Sequence, residues 1–250
     1  MSYIEPPTPV LPTPAPVFNV PSSVLAVVAL LIIVHVGLWA LGPDWQIWSL
    51  YALSFIPSRF GGPEMPSFPQ GAQYWSFFTT SLLHADAFHL GSNCFWLLVF
   101  STPLARRWGP WRYFAFFALA SLAGSAAMLV SQWQKFVVVV GASGVVSAAL
   151  AAAVPLMFAP GFKWGVADLA AYRQLRPLRP VELLNNFRAL IFTAVFLFLT
   201  LFSGASQALT GTAFLEERNI AWQAHLGGFI AGFLLFYLLD KWTVPASAKA

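Results

Sequence analysis

Ser143 sits between glycines in Gly141-Ala142-Ser143-Gly144, at the head of an Ala-rich apolar run. A serine hydroxyl becomes a useful nucleophile when a base within hydrogen-bond reach takes its proton. The chain has four histidines. His225 is the best placed, in Ala224-His225-Leu226-Gly227-Gly228, inside another apolar run that continues to Gly232. On a helix His225, Gly228 and Gly232 fall at i, i+3 and i+7, so they share one face. A face of glycines lets a neighbouring helix come close. Gly144, Ala148 and Ala152 form a matching small-residue stripe behind Ser143. His225 lies about five residues into its run, roughly 8 Å of helix rise. Serine and imidazole therefore fall at similar depth, as acyl transfer through a Ser-His pair requires. The competing reading is pure packing, since Gly-Ser pairs are common between membrane helices and a buried histidine can serve a backbone carbonyl.

A third polar cluster opens a further run, His84-Ala85-Asp86-Ala87-Phe88-His89-Leu90-Gly91-Ser92-Asn93. His89 and Asn93 are at i, i+4 and share a helix face. Their side-chain N–H groups are the kind that stabilise an oxyanion. The free N–H groups at the helix start of Ser143 are another such source. His84 is placed to fix the preceding loop. A metal site built from His84, His89 and Cys94 is disfavoured, because steps of five do not align ligands on one face. We expect no metal and no cofactor. Cys94 is the only cysteine, so no internal disulfide forms.

These residues must be held by apolar helices. Of 250 residues, 58% are hydrophobic and only 9% charged, against about 25% charged in soluble domains. Mean hydropathy is +0.71. A bilayer core takes about 20 apolar residues per helix. Six segments qualify: 22–42, 86–104, 112–132, 141–158, 187–209 and 220–240. The expected fold class is all-α, a polytopic six-helix membrane bundle in one domain. Residues 43–85 are long and aromatic, suiting a segment in the membrane interface. Residues 159–186 read as a polar surface loop. The first 20 residues are Pro-rich and lack the basic start and short apolar core of a signal peptide. The expected organisation is a tail at 1–20, a membrane domain at 21–241 and a short tail at 242–250.

Orientation follows from Lys and Arg. With the N-terminus inside, the inner loops hold Arg106, Arg107, Arg112, Lys163, Arg173, Arg176, Arg179, Arg188, Lys241 and Lys249, and the outer loops only Arg59, Lys135 and Arg218. Both termini are thus expected in the cytoplasm, with the cell (inner) membrane as the location. Ser143, His225, His89 and Asn93 then lie toward the outer surface. The net charge of +4 reports this asymmetry and not a nucleic-acid partner.

Together these residues resemble the rhomboid intramembrane serine proteases. The resemblance spans residues 75–232 and rests on Trp75, His84, His89, Asn93, the Gly141–Gly144 box, and His225 with Gly228 and Gly232. It implies Ser143 as nucleophile, His225 as general base and acid without an acidic third member, and an oxyanion site of His89, Asn93 and the Ser143 N–H. It implies transmembrane protein substrates, cut near their outer ends after entering beside the second and fifth helices. Residues 210–219 would form a cap loop. The lipid bilayer is the other partner, and the sequence sets no oligomeric state. Three positions depart from the family pattern: Ser76 where an Arg is usual, Ala105 where an acid is frequent, and Ser147 where an aromatic often supports the histidine.

Two other functions compete. A non-catalytic rhomboid-like binder of transmembrane clients would typically lack the serine or the histidine, and both are present. A transporter would want internal repeats and mid-membrane ionisable groups. No repeat is visible, and only His35 lies mid-span without a role in the dyad scheme.

Overall fold

The computed structural model describes residues 19–62, 69–164, 169–210 and 221–241. The expected tails and the cap loop at 210–219 lie essentially outside this set. Ten helices are described: α1 (Ser22–Leu41), α2 (Pro43–Leu53), α3 (Ala72–Thr79), α4 (Ala87–Trp108), α5 (Pro110–Ser131), α6 (Ser143–Met157), α7 (Leu169–Gln174), α8 (Pro180–Leu184), α9 (Phe187–Thr210) and α10 (Trp222–Asp240). Among the described residues the only β feature is an isolated bridge between Phe55 and Val139.

The helices begin and end for local reasons. Asp86 caps α4, its carboxylate accepting from the His89 backbone N–H at 2.8 Å. Gly109, at φ 78°, ends α4 and leads directly to Pro110 at the first position of α5. Gly42, at φ 96°, plays the same part before Pro43 of α2.

Helices α1, α5 and α10 are each long and apolar enough to cross a membrane. The apolar stretches Ser143–Met157 and Phe187–Leu199 are shorter. Apolar side chains face outward where lipid would lie, including Ile33, Val36, Phe198 and Leu199. Nothing but an apolar surrounding favours such a surface.

Helix α6 is the axis of the bundle. Every residue from Gly144 to Leu156 is buried, the mark of a helix enclosed on all sides. Its alanines and Gly144 let neighbours approach closely, and α10 packs on it more extensively than any other pair of elements packs. Helices α4, α5 and α9 complete the surround.

The segment expected to lie in the interface as a loop contains α2 and α3. Two bonds hold them to each other: Trp75 Nε1 donates to the Ala52 carbonyl at 2.7 Å and Thr79 Oγ1 to that of Leu53 at 2.7 Å. Arg59 donates to the Ser54 carbonyl at 2.8 Å and closes the turn that follows α2. Ser81 and Ser121 share a hydroxyl bond of 2.6 Å, and Ser125 donates to the Phe77 carbonyl at 3.1 Å. These fasten the end of α3 to α5. The stretch 159–186, read as polar surface, also departs from expectation. It holds the short helices α7 and α8, and Tyr172 within it is buried.

Candidate active site

The site is assembled at one end of the bundle. Ser143 is the first residue of α6. The first bond within the helix runs from the Val146 N–H to the Ala142 carbonyl at 2.9 Å. The N–H groups of residues 143–145 therefore have no partner in their own helix.

The small-residue stripes meet as the spacing implies. A Cβ at Gly228 would stand 2.1 Å from the Gly144 carbonyl oxygen, and one at Gly232 2.1 Å from that of Ala148. The two backbones touch. That contact brings His225 Nε2 to 2.8 Å from Ser143 Oγ.

His89 is fixed by its own turn. Its Nδ1 accepts a long 3.5 Å bond from the Ala85 N–H. The proton of the neutral ring then belongs on Nε2. A Cβ at Gly141 would lie 2.7 Å from His89 Nε2 and 3.8 Å from Ser143 Oγ. Both polar atoms thus flank one glycine, and Gly141 holds φ 119°, a conformation that side-chain-bearing residues avoid. Asn93 is buried and donates one amide N–H to the His89 carbonyl at 2.9 Å. Its second N–H remains for another acceptor.

A cavity of about 1950 Å³ opens over these groups. Ser143, His225, His89 and Asn93 line it together, with Trp96 of α4 and Phe196 of α9 on its apolar flank. Among the described residues no three His, Cys, Asp or Glu side chains converge as metal ligands would.

The rhomboid-domain family model matches residues 71–242. The chain belongs to the rhomboid family. No curated protein matches it. Family and apolar helices together make it an integral membrane protein of all-α, rhomboid-like architecture.

Other contacts surround two of the positions that depart from the rhomboid pattern. Ser147 Oγ turns back to the Ser143 carbonyl at 2.9 Å. Phe229, one turn beyond His225, stacks on Phe196 with centroids 5.7 Å apart. Arg107, two residues after Ala105, finds its acid far away, in Asp240.

Some of the site was not foreseen in the sequence. Thr80 Oγ1 donates to the Val139 carbonyl at 2.5 Å, and its own carbonyl accepts from the Gly141 N–H at 3.0 Å. Thr80 thus shapes the approach to Ser143. Nothing in its sequence neighbourhood signals that role, because its partners lie about sixty residues on.

His84, read as fixing the loop before α4, reaches a distant turn instead. Its Nε2 accepts from the Ala142 N–H at 3.4 Å, bracing the turn that presents Ser143. Burial, with the His89 and His35 charges adding to it, pushes the His84 imidazole down to about 4. The unfolded chain would protonate it near 6.5. As pH falls below about 6.5, the unfolded state binds the proton first and stability declines until about pH 4. This contribution is present in full above 6.5. Expected for His84→Gln is a flatter pH-stability curve between 6.5 and 4, read as Tm against pH in detergent. An unchanged curve would show that His84 is not buried neutral.

Proposed function

We propose that this rhomboid is an intramembrane serine endopeptidase that cuts transmembrane segments near their outer ends. The observation that carries the reading is the 2.8 Å contact between Ser143 Oγ and His225 Nε2. It supplies the nucleophile and the base at reacting distance.

The chemistry follows from the positions. Ser143 Oγ attacks the peptide carbonyl carbon while His225 Nε2 takes the hydroxyl proton. The carbonyl oxygen gains the negative charge, facing His89 Nε2–H, the free Asn93 N–H and the Ser143 backbone N–H. Collapse breaks the C–N bond, and His225 returns its proton to the leaving amine. Water from the open cavity then attacks the acyl-serine, His225 again serving as base. The products are a new carboxylate terminus and regenerated Ser143. Gly141, Gly144, Gly228 and Gly232 act by permitting close approach, and no metal or cofactor takes part.

The positive-inside distribution puts both termini in the cytoplasm and the site toward the outer face of the cell membrane. Six spans through the bilayer satisfy that arrangement. A substrate helix enters from lipid beside α4 and α9, where the cavity wall is apolar. The client-binding alternative leaves the dyad without a purpose.

The test uses reconstituted protein and a reporter with one transmembrane helix flanked by soluble segments. The expected cut, located by mass spectrometry of the products, falls within the outer end of the helix. Cutting confined to the soluble flanks, or none on any reporter, would overturn the reading.

A further inference from the structure

At the end of the bundle opposite Ser143, Arg107 is buried to 1% exposure. An unpaired guanidinium there would be costly, so its partners must be complete. It makes a two-pronged ion pair with Asp240, with Nη2 to Oδ2 at 2.9 Å and Nε to Oδ1. Its Nη1 donates to the carbonyls of Tyr172 and Leu175, both at 2.8 Å. Trp108 Nε1 also donates to Asp240 at 3.4 Å, and its ring lies 5.8 Å from Phe236.

The stretch that Arg107 grips is tied to two more helices. The Leu178 N–H donates to the Pro155 carbonyl of α6 at 2.9 Å. Tyr237 Oη of α10 donates to the Leu178 carbonyl at 2.7 Å. Helices α4, α6 and α10 are therefore joined in one polar knot through residues 172–178. These are the helices that carry His89 with Asn93, Ser143, and His225. Among the described residues α4 and α10 share no extended packing, and α6 lies between them. The knot is their direct link.

We infer that Arg107 and Asp240 are positioning residues that set the axial register of α10, and through it the placement of His225 on Ser143. Asp240 is fifteen residues from His225 on one continuous helix, about 22 Å of rise. Along that length α10 touches α6 backbone to backbone, so it moves as a rod and not by bending. A shift of about 1 Å along the axis misaligns the imidazole with the Ser143 hydroxyl, and displacement of that size costs on the order of 10²-fold in rate. The inference rests on the protease reading for its kinetic consequence and on geometry alone for its structural one.

The test uses the full chain in detergent with 15N-labelled imidazoles, tractable because there are four histidines. The His225 Nε2 signal is compared in the wild type, Ser143→Ala, Asp240→Asn and Asp240→Glu, together with kcat and KM on the reporter. Asp240→Asn is expected to move the signal toward its Ser143→Ala position and to lower kcat by 10- to 100-fold with KM within about twofold. Asp240→Glu is expected to recover most of both. If Asp240→Asn does not fold, Tyr237→Phe, which removes one bond of the knot, is read in the same way and decides. A folded variant with lower Tm but unchanged signal and kcat would overturn the inference, leaving the pair a stabilising clasp only. A wild type with the bonded signal but no cleavage would overturn the protease reading, and the signal shift alone would then decide on the knot.

Discussion

Replacing Ser143 by alanine is expected to abolish reporter cleavage, a fall on the order of 10⁴-fold or more. The same fall is expected for His225→Ala, and again for the double variant. The reason is the shared proton. Ser143 Oγ and His225 Nε2 are 2.8 Å apart, and neither group does chemistry alone, so their losses do not add. Initial rates on the reporter measure this directly. Additive losses would mean independent roles, and residual cutting by Ser143→Ala would place the nucleophile elsewhere. Residual turnover from the oxyanion donors alone would be far smaller, since without Ser143 no acyl group is accepted.

Gly228→Ala is expected to have the second-largest effect. The new Cβ would stand 2.1 Å from the Gly144 carbonyl oxygen and 2.9 Å from its carbonyl carbon. Neither atom can turn aside, because both belong to the backbone of a helix buried on every face. Helix α10 must retreat by about 1 Å to reach ordinary contact, an overpacking cost of roughly 1–3 kcal/mol. The same retreat pulls His225 from Ser143, so activity should fall about 10²-fold, more than stability alone explains. Gly232→Ala, at 2.1 Å from the Ala148 oxygen, should act likewise. Gly37→Ala and Gly91→Ala supply the control, because nothing lies within 4 Å of either added Cβ. Both should keep full activity and gain up to about 1 kcal/mol of helix stability. Equal behaviour of all four variants would contradict the contact. Thermal melts and initial rates on the same preparations separate the two effects.

Much of this arrangement was legible in the sequence, for a physical reason. Long apolar runs interrupted by Gly and Pro have few alternatives to helix, so each of the six segments contains a helix close to its expected bounds, and three of those helices, α1, α5 and α10, are long and apolar enough to cross a membrane. Helix α4 runs on to Trp108, past the expected end at 104, because Arg106 and Arg107 are buried by partners within the protein. Charges at those positions read as a boundary when their partners are unseen. The stripe of Gly228 and Gly232 against Gly144 and Ala148 was also readable, since small residues at helical spacing have one use in an apolar bundle.

What escaped the sequence depends on contacts between distant segments. Asp240 is 133 residues from Arg107, and no local pattern pairs them. The stack of Phe229 on Phe196 likewise joins α10 to α9 across a face that only helix packing brings together. Polar bonds such as Thr80 to Val139 depend on loop paths that composition does not encode.

The proposed protease depends on Ser143 acting as a nucleophile activated by His225. Reaction of the purified, folded protein with a fluorophosphonate, followed by peptide mapping, tests it most directly. One phosphonyl adduct is expected, on Ser143, and it should disappear in His225→Ala at unchanged fold. An unlabelled wild type, or Ser143 labelled as readily without His225, would contradict it.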